Sequence, residues 1–360
     1  IHLVCTSLIE DRIVDILSDV TISEGYAYDL KDDHGAEMSC VHVDFVRNET
    51  VSSEHLDGDR YIGLYHSNIK GSFEVRLASS ANLIDWTFRK TLLQNADMPY
   101  LYRVPESSWL MLVHEQWMNP NSQLPSRVGF KLWYDETDLV SPDGTYFNSF
   151  VAPLTVGNIS QLEGTPNVYD ANITKDEETG FLVVNADIGF HFNDENGKDQ
   201  VASSHITRFG PTALDPIYRD ARVASTYNNL FISHGAIGNI GQRAPGKLMS
   251  SDVHFSLQEA NIGSMPPTIW ADWRIWMYRF SAHEIFVPDG TGTIEMMNIK
   301  THKNSTAVGN PSWHKVPCPD SHNSNNNSIE CVFVSYFLFG EGAKPGEAGV
   351  LAFWNRVDDD

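Results

Sequence analysis

Basic residues are scarce in this chain: 25 Lys and Arg stand against 47 Asp and Glu in 360 residues, a formal charge of −22. Such an acidic excess repels phosphate backbones and anionic lipid surfaces, so neither a nucleic-acid partner nor a membrane partner is expected. No run of 18 or more apolar residues occurs, and nothing in the chain is expected to span a bilayer. Cysteine is limited to Cys5, Cys40, Cys318 and Cys331, none in C-x-x-C metal spacing. The 14 histidines form no H-E-x-x-H. Neither G-x-S-x-G nor a P-loop is present, which disfavours zinc enzymes, Ser-His-Asp enzymes and nucleotide enzymes.

What the chain does hold is apolar alternation. Hydrophobic residues make up 41% and aromatics 11%, enough for a large core. Short alternating runs occur at 40–46, 61–66, 73–78, 109–115, 128–134, 181–188, 201–209, 247–259, 274–280, 293–299, 332–339 and 349–355. Gly, Pro, Asn and Asp clusters divide them, and no long amphipathic helix stands out. About a dozen short strands point to an all-β sandwich, barrel or propeller. The proline-rich breaks at 210–216 and 265–267 suit connections within a domain better than linkers, so residues 1–360 are expected to form a single domain. Segments 116–127, 189–200 and 210–246 are predicted as loops walling a pocket.

Five N-x-[ST] sequons, at Asn48, Asn158, Asn172, Asn304 and Asn326, suggest N-linked glycans and a secreted, extracellular protein. No signal peptide is visible at Ile1, and the chain begins like a mature product. An oxidising compartment would pair the cysteines into two disulfides. The local choice is Cys5 with Cys40 and Cys318 with Cys331; the rival choice links the two ends. Cys318 with Cys331 is favoured, since the loop between them is short and polar.

The segment Phe73-Glu-Val-Arg-Leu-Ala-Ser-Ser-Ala-Asn-Leu-Ile-Asp-Trp-Thr-Phe88 runs from a strand through a Ser-x-x-Leu-x-x-Trp turn into a second strand. It resembles the S-x-D-L-x-x-W blade edge of the five-bladed glycoside hydrolases, the arabinanases, xylosidases and invertase-like enzymes, with Asn82 where those families carry Asp. The resemblance covers roughly residues 40–210 and implies a five-bladed β-propeller of about 72 residues per blade, longer than the blades of short repeats. It also implies hydrolysis of glycosidic bonds by two carboxyl groups, one protonating the leaving oxygen and one attacking or activating water. Glu163-Gly-Thr-Pro166 is similar to the Glu-Gly-Pro of the general acid, with Thr165 as an insertion, and Asp97-Met-Pro99 is similar to an Asp-Pro that orients substrate. Asp44 would be base or nucleophile, although the usual Asp-Pro is absent there; Asp15, Asp29 and Asp33 are substitutes.

Other residues suit sugar recognition. Gln242 and Arg243, in Gly238-Asn-Ile-Gly-Gln-Arg243, combine a glycine turn with forked hydrogen bonding. His114 and Glu115 alternate on a strand, so only one of them can face a pocket. Trp270 and Trp273 offer aromatic faces to sugar rings, with core packing as the alternative. No cofactor is required by this chemistry. Some propellers that the chain resembles hold a structural calcium ion in the central channel, for which His42, His234 or His283 are candidates. The favoured function is therefore a secreted glycoside hydrolase acting on a polysaccharide or oligosaccharide. A non-catalytic carbohydrate-binding propeller is the alternative, as is a polysaccharide lyase using Arg243 with His114 or His234 on a uronate.

Overall fold

Alternating apolar residues make strands of most of these runs, and pairing gathers them into five small antiparallel sheets. The computed structural model describes residues 12–119, 122–151, 161–162, 166–179, 182–193, 199–209, 221–237, 239–247, 254–263, 270–280, 294–319 and 329–357. The first blade is β2 (Ser39–Phe45), β3 (Tyr61–Ile69), β4 (Ser72–Ser80) and β5 (Thr87–Gln94), side by side in chain order. The second is β6 (Ala96–Arg103), β7 (Leu110–Asn119), β8 (Ser122–Trp133) and β9 (Asn148–Val151). In the third, β10 (Gln161–Leu162) and β11 (Asn167–Lys175) both pair with β12 (Leu182–Asn193), and β13 (Asp199–Phe209) lies on its other side. The fourth is β14 (Ile240–Lys247), β15 (His254–Asn261), β16 (Trp273–Phe280) and β17 (Glu295–Met296).

The last blade closes the ring. Its strands β18 (Val308–Pro317), β19 (Glu330–Leu338) and β20 (Gly349–Val357) are completed by β1 (Gly25–Ala27) from the other end of the chain, in the register Gly25↔Trp354, Tyr26↔Phe353, Ala27↔Ala352. Innermost strands β2, β6, β11, β14 and β18 touch in turn around one axis, so the fold is a five-bladed β-propeller. Closure shields strand edges that would otherwise invite foreign pairing. The core is split into layers between blades. Val75, Leu77, Leu101 and Leu112 fill the first seam; Val113, Phe130, Val184 and Phe190 fill the second.

The turn that carries the resemblance keeps its geometry with asparagine. Ser80 Oγ accepts from the backbone N–H of Asn82 and Leu83, and Asn82 Oδ1 accepts from those of Ile84 and Asp85. Either Asn or Asp supplies that acceptor oxygen. Trp86 then lies buried over Gly63, where a Cβ would come within 2.8 Å of the indole.

Several expectations need correction. Ala221–Ser233, inside the segment read as the loop 210–246, is a helix. Its Tyr227 and Phe231 are fully buried and pack on Ile240, Ala260, Trp276 and Tyr278. Segment 116–127 is largely strand, since β7 runs to Asn119 and β8 starts at Ser122. The run 247–259 is two strands, with β14 ending at Lys247 and β15 starting at His254.

The cysteines divide unevenly. Cys318 and Cys331 form a disulfide with Cα atoms 4.9 Å apart, whereas Cys40 is a free, buried thiol and Cys5 lies outside the described residues. Two disulfides including Cys40 are thus not what the fold provides, because β2 carries Cys40 to the propeller axis. Mass spectrometry should find Cys318 linked to Cys331 and Cys40 alkylated only after denaturation; a disulfide-linked Cys40 peptide would refute this.

Candidate active site at the mouth of the axial channel

The innermost strands begin with a shared irregularity. A bulge falls between Ser39 and His42 in β2, Asp97 and Tyr100 in β6, Ile240 and Arg243 in β14, and Gly309 and Ser312 in β18. Cys40, Met98 and Asn310, each one residue into its bulge, have φ of 49°, 48° and 46°. Bulges re-aim side chains locally, and here they turn residues of several blades toward one rim. Ser39, Asp97, Ile240 and Gly309 hold corresponding positions, and of these only Asp97 is acidic.

Asp97 lies directly opposite Glu115 across the β6–β7 pair, and the two are 1% and 3% exposed. Trp117, two residues beyond Glu115, donates its indole N–H to Asp97 Oδ2 at 3.3 Å and meets Phe73 of the first blade edge-on. On the adjoining part of the rim Cys40 Sγ is 3.3 Å from Met98 Sδ, and the Met98 amide donates to His66 Nδ1 at 3.1 Å. Burial, and then the charges of Glu259 and Asp97, push the Cys40 thiol up from its ordinary range. Carboxylates from the second and fourth blades therefore flank one thiol.

Glu259 was not foreseen. It is 8% exposed on β15; its Oε1 accepts from the Gln242 amide at 2.7 Å and its Oε2 from the Asn310 amide at 2.5 Å. Beside it stands an aromatic stack, with Trp270 4.9 Å from Phe339 and 6.2 Å from Trp273 between ring centroids, all nearly parallel. Phe339 reaches the rim at Gly309, where a Cβ would lie 2.6 Å from its ring. Trp273 is buried and Trp270 is 49% exposed.

Below the rim, Gln242 and Arg243 line a small axial cavity with His42, Asn167, Ser312 and His314. They belong to strand β14 rather than to a flexible glycine turn. Arg243 is buried under the ring of Tyr227 and over Gly189, where a Cβ would fall 1.6 Å from the guanidinium. His42 and His314 rings are 3.9 Å apart, and burial holds both imidazoles well below their usual pKa.

His42 Nδ1, Asn167 Oδ1 and Gln242 Oε1 find no hydrogen-bond partner among the described residues. Those atoms do not fit a calcium ion. The described lining offers two imidazoles, the Ser312 hydroxyl and two neutral amide oxygens, no carboxylate, and the Arg243 cation, whereas calcium takes six to eight oxygens, commonly with carboxylates among them. His234 is exposed at the end of the 221–233 helix, bonded to Leu230, and His283 lies outside the described residues.

Two other candidates sit elsewhere. Asp44 is at the far end of β2, roughly 15 Å along the strand from Ser39. It binds Arg103 at 2.7 Å, and Arg103 also binds Glu136 at 2.9 Å, which latches the first two blades at the opposite rim. His114 points away from Glu115, with Nδ1 against the Glu115 carbonyl and its ring over Gly129; burial lowers it to about 4. Glu163 lies outside the described residues, although Pro166 and Asn167, which follow it, line the axis. Glu259 left one trace in the sequence, a carboxylate at the end of the alternating run 247–259; Gly241 and Gly309, which make room for it, are far apart in the chain.

No family model and no curated protein matches the sequence. The fold is similar to a thermostable family-43 glycoside hydrolase, at 13% identity over 93% of this chain and 94% of that chain, TM-score 0.50. It is also similar to an exo-β-1,3-galactanase from Clostridium thermocellum, at 13% identity over 93% of this chain and 63% of that one, TM-score 0.49. The catalytic domain of a GH62 α-L-arabinofuranosidase from Coprinopsis cinerea matches at 10% identity, 94% and 96% coverage and TM-score 0.45. At these identities the likeness is one of fold.

Proposed function

We propose that the protein is a glycoside hydrolase acting on a polysaccharide or oligosaccharide at the rim where its innermost strands begin. The observation that carries this reading is the buried Asp97–Glu115 pair, on the same rim as Glu259, which has an aromatic stack beside it. Cleavage needs a proton for the leaving oxygen and a carboxylate for the sugar carbon or for water. Glu163 supplies the proton on the strength of its Glu-Gly-Thr-Pro motif, and the Asp97–Glu115 pair takes over the second role from Asp44. No cofactor enters this scheme. Sequons Asn48, Asn172 and Asn304 are exposed, which agrees with an N-glycosylated, secreted protein; Asn158 and Asn326 lie outside the described residues.

One observation favours a second reading, a sugar-binding propeller without catalysis: Ser39 stands in the first blade where Asp97 stands in the second. Reducing-end release from arabinan, xylan and β-1,3-galactan separates the two. Cleavage of at least one polymer, abolished by Asp97→Asn, is expected; saturable binding to a polymer without cleavage would establish the second reading instead.

A further inference from the structure

Glu259 belongs to a clasp around the β14 bulge. Gln258 Nε2 donates to the carbonyls of Gly241 and Gln242 at 2.8 and 3.0 Å, while Glu259 Oε1 takes the Gln242 amide at 2.7 Å. Tyr227 of the 221–233 helix donates to Gln258 Oε1 and fixes that amide in turn. The other oxygen of Glu259 crosses to the fifth blade and holds the amide of Asn310, whose left-handed backbone an asparagine tolerates better than most residues. Two glycines make the space. A Cβ on Gly241 would lie 2.3 Å from Glu259 Oε1, and one on Gly309 would lie 2.8 Å from Oε2. So much constraint on one bulge has a product: the Gln242 side chain is aimed into the axis, 8% exposed, with an amide oxygen that no described group satisfies.

We infer that Glu259 is a positioning residue for substrate, acting through the Gln242 and Asn310 amides to hold the Gln242 carboxamide as a hydrogen-bonding partner for a sugar hydroxyl. The inference rests on the hydrolase reading for its substrate, a neutral glycan rich in hydroxyl donors. A carboxylate with both oxygens engaged by backbone N–H groups is a poor proton carrier, so its work is geometric. Gln keeps one acceptor and turns an N–H₂ toward the second amide; Asp is too short to span both blades.

A double-mutant cycle tests this on the full chain with Glu259→Gln, Gln242→Ala and the pair. KM for the polymer that the wild type cleaves should rise about 10-fold in each single variant with little change in kcat, although Glu259→Gln also lowers the melting temperature and Gln242→Ala does not, and no further in the double variant. Glu259→Asp should raise KM at least as much as Glu259→Gln. Should the wild type bind but not cleave, Kd for arabinotriose, xylotriose or β-1,3-galactotriose replaces KM and the same cycle decides. Additive effects, wild-type KM in Glu259→Gln, or losses that merely follow melting temperature would overturn the inference while leaving the hydrolase reading intact. A wild type that neither cleaves nor binds would remove both.

Discussion

Replacing Glu163 with glutamine is expected to lower turnover on a natural glycan by about 10²–10⁴-fold while leaving binding nearly unchanged. The amide keeps the size of the side chain but has no proton to give the leaving oxygen. Aryl glycosides such as 4-nitrophenyl sugars, whose leaving groups need little protonation, should lose much less. Asp44→Asn supplies the contrast. Asp44 sits at the opposite end of its strand from the rim and is bound to Arg103, so turnover should stay within about threefold while the loss of the charge-assisted bond costs about 1–3 kcal/mol of stability. Initial rates on both substrate types, with melting curves, check the pair. A Glu163→Gln enzyme of wild-type rate would remove the general acid; an Asp44→Asn enzyme slowed as far as Glu163→Gln would return Asp44 to the chemistry.

Acidification should unfold the protein over a narrow range below pH 6.5. Burial lowers His42 and His66 to about 3 and His114 to about 4, and drives His314 well below its usual value with His42 adding to the effect. Between the folded and unfolded pKa values the unfolded chain binds protons that the folded chain refuses. Stability is therefore intact above about pH 6.5 and falls as pH drops toward 4. Each such histidine contributes a slope of up to about 1.4 kcal/mol per pH unit. Four together approach about 5 kcal/mol per unit, comparable with the whole stability of an ordinary domain. Melting temperatures from pH 7.5 to 4.5 test this. A flat profile would show that the imidazoles charge without unfolding; His42→Asn should shallow the slope.

Much of the fold was legible because strand signals are local. Phe73, Val75 and Leu77 alternate, the Ser80–Trp86 turn carries its own acceptors, and each of these acts within a few residues. The helix at 221–233 falls in a segment expected to be loop, although Val223, Tyr227, Leu230 and Phe231 recur at i, i+4, i+7 and i+8, because this short period lies between the turn signals of Gly210-Pro211 and Gly235. Asp97 was readable from its motif with Pro99. The displacement of Asp44 was not, because strand direction and register decide which end of β2 faces the rim.

By itself, then, the sequence determined an acidic, strand-rich chain with a propeller-like turn, a favoured but unsettled Cys318–Cys331 pairing and a set of candidate carboxylates. Only tertiary structure decided which of them meet. Asp97 and Glu115 meet by cross-strand register, Glu259 reaches the rim by crossing from the fourth blade to the fifth, and Cys40 comes to the axis as a free thiol. The physical reason is ring closure. A propeller brings to one axis the first strand of every blade, residues separated by tens of positions, and no local pattern encodes which side chains its bulges will turn inward.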